Sequence, residues 1–445
     1  MARPRSACST GCEVKACGLT SSGFRDAAGD GAARSATVFK SRRRSGPHEF
    51  IMTLSAFAAR RPLARLLAPA ALSFTLALAP AAQACTSLIY RDATGGVYFG
   101  RTLELAMELP YRVAYLPAGQ RYTSTAAAGA AALTYTTKYR MLAITVPDGA
   151  LDDLKIVEGF NEKGLTFSLL AFADAAGPTH AFEMTKAALS AIDLGSWTLG
   201  QFQDVEEVKA ALASQPVLLA PLAVLGNAKS PFHYVLHDRS GASIVVEFAN
   251  GKQTVYDNPV GVMTNGPELP WHLTNLNNYT FLSNVDQSSG QFGSLKVAQP
   301  DSGIATSGLP ASNTSVGRFV RAVYYSQYAQ KVTAPDDAVR TLAHIMNNFD
   351  RPKDITIDTN SGGNEGIAAV ATKDAPPFTS EYTSWTALTD LNRSVLYVRT
   401  YGGLNYSSFD LTKLAAGNAV LSLPLATLDG MAGDATAALI AAKAP

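Results

Sequence analysis

The chain has 445 residues, 47% of them apolar. Of its 37 Lys and Arg and 36 Asp and Glu, 12 and 4 lie in residues 1–84; this leaves 25 basic and 32 acidic groups, a net −7, for residues 85–445. That balance argues against a nucleic-acid partner, and the apolar content suffices for one large domain or two small ones.

Residues 1–51 show no apolar periodicity and contain the basic run Lys40-Ser41-Arg42-Arg43-Arg44. They read either as a disordered extension or as sequence upstream of the true start at Met52. Their Cys8, Cys12 and Cys17 do not make a zinc ligand set. From Met52, Arg60-Arg61-Pro62-Leu63-Ala64-Arg65 forms a basic segment, followed by a largely apolar run of 15 residues at 66–80 and by Ala82-Gln83-Ala84. An apolar run of that length falls short of the ~20 residues that span a bilayer, and A-x-A is a signal-peptidase site. Residues 52–84 are therefore expected to be an export signal. The expected protein is secreted, periplasmic in a Gram-negative bacterium, and without a membrane anchor after cleavage.

Cleavage behind Ala84 makes Cys85 the first residue and the only cysteine of the mature chain. A thiol and a free α-amine on one carbon form a minimal nucleophile and base, since the amine titrates near pH 7.7–8.0. Two other readings stand beside this one. A cysteine at such a boundary is also where a lipoprotein is acylated, although Ala82 and Gln83 fit that signal poorly, and an isolated cysteine is often just a small buried hydrophobe.

Past Cys85 the patterning alternates between hairpins and helices. Strands are predicted over 85–90 and 97–102, around the turn Arg91-Asp92-Ala93-Thr94-Gly95-Gly96, then over 112–115, 141–146, 164–172, 232–237, 243–248, 382–388 and 394–400. Helical periods are read over 182–191, 204–213 with Asp204 as N-cap, 316–328 and 336–347. Residues 281–313, rich in Ser, Gly, Pro and Asn, read as a long surface excursion. Hairpins interrupted by helices, without βαβ alternation, predict an α+β fold with antiparallel sheets. His233 and His237 share a strand face and read as packing, and Gly362, Gly363 and Gly366 as a flexible loop. No phosphate-binding loop, G-x-S-x-G elbow or H-E-x-x-H is present.

Several segments taken in order resemble the choloylglycine hydrolase family of bile salt hydrolases and penicillin V acylases. They are Cys85-Thr86-Ser87-Leu88-Ile89-Tyr90, Gly100-Arg101-Thr102-Leu103-Glu104, Asn161-Glu162-Lys163-Gly164-Leu165, Gly261-Val262-Met263-Thr264-Asn265-Gly266-Pro267, Trp271-His272-Leu273-Thr274-Asn275-Leu276, Gly317-Arg318-Phe319 and Tyr382-Thr383-Ser384. The resemblance implies that residues 85–445 form an α+β Ntn-hydrolase domain, a four-layer αββα sandwich of two antiparallel sheets between helices. It implies a small-molecule linear amide as substrate, no metal or other cofactor, and assembly into a homo-oligomer of up to four chains.

The roles it implies fall on named positions. Cys85 matches the nucleophile, Arg101 the arginine at the thiolate, Asn265 the oxyanion-hole amide and Arg318 a second active-site arginine. From the residues alone, Arg101 also reads as a surface partner of Glu104, although its spacing from Cys85 fits a hairpin that returns the second strand beside the first; Asn265 also reads as an Asx turn, and Arg318 as a solvated helix residue. Two positions depart from the family: Glu104 stands where Asp is usual, and Ala171 where bile salt hydrolases carry Asn. Ala171 retains a backbone N–H for an oxyanion but offers no side-chain hydrogen bond.

Overall fold

The computed structural model describes residues 84–125, 131–177, 186–359, 378–414 and 418–442. The readings for 1–51 and for the export signal up to residue 83 fall outside the described residues, as does the glycine loop at 362–366.

Two strands set up the site. β1 (Cys85–Arg91) and β2 (Val97–Leu105) form an antiparallel hairpin in which Cys85 pairs with Leu103 and Ser87 with Arg101. The turn is closed by Asp92, whose Oδ1 accepts from the N–H groups of Thr94 and Gly96, each at 2.8 Å. The hairpin turn read from the sequence is thus closed by Asx chemistry. Nearly every residue of both strands is buried, as expected of strands covered on two faces.

The chain continues through β3 (Arg112–Leu116), β4 (Met141–Pro147), β5 (Leu154–Asn161) and β6 (Thr166–Ala171), then α1 (Leu194–Gln201) and α2 (Val205–Leu212). Strands β7 (Phe232–His237), β8 (Ser243–Ala249), β9 (Lys252–Asp257) and β10 (Val262–Met263) follow, with helices α3 (Leu269–Asn275), α4 (Ser315–Tyr328) and α5 (Pro335–Met346). The remainder comprises β11 (Tyr382–Asp390), β12 (Val395–Thr400), β13 (Ser407–Asp410), β14 (Leu421–Pro424), β15 (Gly433–Asp434) and α6 (Thr436–Ala441).

One sheet runs β10-β1-β2-β11-β12-β13-β15 and the other β9-β8-β7-β6-β5-β4-β3-β14. All pairs are antiparallel except β13 with β15. Helices α4 and α5 pack on the first sheet, and α1 and α2 on the second. Tyr115, Leu142, Ile144, Phe160 and Val235 fill the space between the sheets against first-sheet residues such as Leu103 and Trp385. Trp197, Val205, Val208 and Leu212 join Ile156, Phe167 and Phe248 on the far side of the second. The result is a four-layer αββα sandwich.

Gly100 explains how closely the outer helix approaches. A Cβ there would lie 2.7 Å from Met346 Sδ and 2.9 Å from Leu342 Cδ1, both on α5. Because side chains alternate along a strand, this also assigns Thr102 and Glu104 to the helix face of β2, and Arg101 and Leu103 to the face between the sheets.

Helix ends follow the expected chemistry. Asp204 caps α2 by accepting from Glu207 N at 2.9 Å, and Thr314 caps α4 by accepting from Gly317 N. The helix expected over 182–191 is not formed by its described part. Leu189–Ser190 is a short strand paired with Val217–Leu218, and the helix begins only at Leu194. The surface excursion at 281–313 contains a two-stranded hairpin, Ser289–Phe292 with Leu295–Ala298, whose residues are all exposed.

Candidate active site

Cys85 lies at the start of β1, 3% exposed, with its side chain in the space between the sheets. Arg101, two residues before its cross-strand partner Leu103, shares that face. Its Nη2 lies 3.6 Å from Cys85 Sγ and also donates to the Leu169 carbonyl of β6. The guanidinium sits over the Trp385 ring, 5.0 Å from the centroid. Arg101 is fully buried, so the surface-pair reading fails. Its carboxylate is not Glu104 either: Glu158 of β5, equally buried, places Oε2 3.7 Å from Arg101 Nε.

Asn265 follows β10, where β1 and β10 pair through Ser87 and Met263. Its side chain is used at both ends. Oδ1 accepts from Cys85 N at 2.8 Å and from Arg318 Nη2 at 2.6 Å, and Nδ2 donates to the Ala171 carbonyl at 2.8 Å. Its backbone is pinned as well, N–H donating to Ser315 Oγ at 2.9 Å and carbonyl accepting from His272 Nε2 at 2.9 Å. Burial holds His272 down to about 4, so the ring is neutral at pH 7 with its proton on Nε2. These long-range bonds go well beyond a local Asx turn.

Arg318 reaches the site because the Thr314 cap fixes the first turn of α4. A Cβ at Gly317 would lie 2.6 Å from the Ser312 carbonyl, so the glycine permits the tight entry. The Arg318 guanidinium donates to the Cys85 carbonyl, to Thr86 Oγ1 at 3.0 Å and to Asn265 Oδ1. At 1% exposure it is no solvated helix residue.

Glu104 points the other way, onto the helix face beside Arg318. It accepts from Thr383 Oγ1 at 3.2 Å and is 1% exposed. Burial pushes its carboxyl up to about 7 against the opposing pull of Arg318. The expected pairing with Arg101 is thus replaced by a place behind Arg318, with Cys85 on the opposite face of the hairpin.

The electrostatics at sulfur are mixed. Burial pushes the Cys85 thiol up; Arg101, the Ala171 N–H and Arg318 pull it down, and Glu104 adds to the rise. In the continuous chain the Cys85 nitrogen is a peptide N–H preceded by Ala84, whose carbonyl accepts from Glu104 N at 2.8 Å. It becomes a base only if the chain is cut there.

In front of Cys85 opens a narrow apolar slot of about 50 Å³, walled by Leu103, Leu105, Val157, Leu169, Leu222 and Phe232. Ala171 forms part of its rim. Among the described residues no group of three or more His, Cys, Asp or Glu is arranged to hold a metal ion. His233 and His237 are buried apart in function: His233 bridges Glu247 and the Thr264 carbonyl, and His237 packs on Phe99.

The sequence reading missed Glu158, Trp385 and Tyr111, which stacks edge-on against Trp385 at 5.8 Å. It also missed Thr383, whose segment it quoted without a role.

The family model of linear amide C–N hydrolases, choloylglycine hydrolase family, matches residues 85–418. The chain belongs to the choloylglycine hydrolase family. It is 26% identical over 330 residues to a bile salt hydrolase/transferase of Clostridium perfringens, covering 74% of this chain and 93% of that one. With a penicillin V acylase of Pectobacterium atrosepticum it shares 28% identity over 246 residues, 54% of this chain and 59% of the other. Among solved structures, a conjugated bile acid hydrolase from C. perfringens superposes with a TM-score of 0.63 at 24% identity, covering 76% of this chain and 96% of the other. The penicillin V acylase of Agrobacterium tumefaciens gives 0.60 at 22%, with 79% and 95% covered. These neighbours carry the Ntn-hydrolase sandwich, and the family places the chain among hydrolases of non-peptide C–N bonds in linear amides.

Proposed function

We propose that this choloylglycine hydrolase family member is exported, cut between Ala84 and Cys85, and works as an N-terminal cysteine hydrolase through a thioester. The observation that carries the reading is the convergence of Arg101 Nη2, the Ala171 N–H and Asn265 on the sulfur and nitrogen of one residue at the mouth of an apolar slot.

After cleavage the Cys85 nitrogen is an amine, held by Asn265 Oδ1, and it takes the thiol proton. Sulfur attacks the amide carbon to form the C–S bond. The resulting oxyanion is met by the Ala171 N–H and by the second N–H of Asn265 Nδ2, whose first is spent on the Ala171 carbonyl. The ammonium then returns its proton to the leaving nitrogen as the C–N bond breaks. Water, deprotonated by the same amine, cleaves the thioester and releases a carboxylic acid. Arg318 fixes Asn265 and the Cys85 carbonyl throughout.

The slot receives the acyl side. A cavity of about 50 Å³ has room for roughly four water-sized spheres in its closed form. A slender acyl group suits it better than a rigid sterol, which would need surrounding segments to open. Among penicillin V, N-acyl homoserine lactones and conjugated bile salts, the shape favours the first two. The protruding hairpin, with Phe292 and Leu295 exposed, supports self-association into a homo-oligomer, measurable as native mass in solution.

The test is an amidase screen of the mature protein across the three substrate classes, before and after treatment with iodoacetamide. Turnover of at least one amide that alkylation abolishes is expected. Turnover that survives complete alkylation of Cys85 would sink the mechanism.

A further inference from the structure

The carboxylate that touches Arg101 arrives there by an irregularity in its strand. Where β4 pairs with β5 the register slips: Ile144 faces Glu158 and Thr145 faces Ile156, so Val157 is an inserted residue. A bulge re-aims the side chains around it and is frequent beside active sites. Here it turns Val157 into the wall of the slot and Glu158 toward Arg101. Glu158 is clamped from behind by Ser168 Oγ on β6, which donates to Oε2.

The pair is otherwise spare. Among the described residues, Arg101 Nε and Nη1 and Glu158 Oε1 have no hydrogen-bond partner, although both residues are completely buried. A structural ion pair of this burial is expected to saturate its donors and acceptors, because each one left open costs stability. The unsaturated geometry, with Nη2 on sulfur and Nε toward the carboxylate, suits a group whose charge must act on a neighbour.

We propose that Glu158 is the positioning residue of Arg101: through the Val157 bulge it holds the guanidinium edge-on to Cys85 and offsets part of its charge at the sulfur. The proposal rests on Cys85 being the reactive thiol of the proposed mechanism, and its readout is independent of which amide is cleaved. Around the pair, β2 contributes Arg101, β1 Cys85, β6 the neutral Ser168 and β11 the neutral Trp385. The nearby Tyr111 is pushed up by burial and stays neutral. Glu104 and Arg318 act from the helix face. Burial moves Glu158 itself up to about 8 despite Arg101, so its charge, and its offsetting of Arg101, grows as pH rises through that value.

The experiment follows alkylation of Cys85 by iodoacetamide against pH, read by intact mass, in mature wild type, Glu158→Gln and Glu158→Asp, each also combined with Arg101→Met. Thermal melts identify the folded variants. With Glu158 uncharged, Arg101 acts undiminished on the thiolate. The midpoint should therefore fall by about 1 pH unit in Glu158→Gln, with Glu158→Asp in between because its shorter side chain pairs less closely. Wild-type and Gln curves should run together below about pH 8 and part above it. In the Arg101→Met background both substitutions should leave the midpoint unmoved. If the Gln variant does not fold, the Asp variant against wild type still decides the sign. An unmoved midpoint in folded Gln or Asp protein, or an equal shift with and without Arg101, would overturn the proposal and leave Glu158 a packing residue.

Discussion

Replacing Glu104 with Gln removes a carboxyl that the fold holds largely uncharged below neutrality, and the consequence should be visible in stability against pH. Glu104 titrates near 4.5 in an unfolded chain and near 7 when buried behind Arg318. Below pH 4.5 it is protonated in both states and contributes no difference. Between pH 4.5 and 7 the unfolded chain releases this proton while the folded one retains it, so wild type loses stability that the Gln variant does not. A displacement of about 2.5 units corresponds to about 3 kcal/mol, reached by pH 7 and constant above it. The attraction between Glu104 and Arg318 is already contained in the folded value near 7, and a packing offset of Gln that does not vary with pH does not enter the slope. The assay is urea unfolding of both mature proteins at intervals from pH 4 to 8.5, compared as the difference at each pH. Parallel curves would mean that Glu104 is not held in its neutral form.

Three further outcomes follow from the same geometry. Cys85→Ser should lose at least about 10²-fold in turnover with an unchanged circular dichroism spectrum, since a hydroxyl is a far weaker nucleophile beside an amine base. Asn265→Ala should lower kcat by roughly 10²-fold with a smaller change in KM, read from steady-state kinetics on the best amide found. Arg318→Met should unfold at lower temperature, because Thr86 Oγ1, Asn265 Oδ1 and the Cys85 carbonyl lose a shared donor; an unchanged melting temperature would show that these groups are satisfied without it.

What the sequence revealed was local or strongly patterned. The Asp92 turn, the Asp204 cap and the amphipathic α4 each rest on residues within a few positions of one another, and each forms close to where it was expected. The hairpin spacing also correctly brings Arg101 beside Cys85. The partner of Arg101 was misread although strand alternation alone puts residues 101 and 104 on opposite faces. Glu158 was out of reach for a different reason: it depends on a bulge in β5 and on sheet-against-sheet packing between residues 57 apart. The helix expected over 182–191 failed because its described end, Leu189–Ser190, pairs with Val217–Leu218, a tertiary contact that outweighs helical propensity. Glu104 kept its family position, yet its orientation toward Arg318 follows from the helix packing on β2.

The central claim is that Cys85 becomes a free N-terminal residue whose sulfur carries the acyl group. Intact mass and N-terminal sequencing of the protein recovered after export from its native host test it most directly. The account predicts a chain beginning at Cys85 with an unmodified amine, which gains the mass of one acyl group when acid-quenched during turnover. A chain beginning at any other residue, or a Cys85 carrying diacylglycerol, would contradict it.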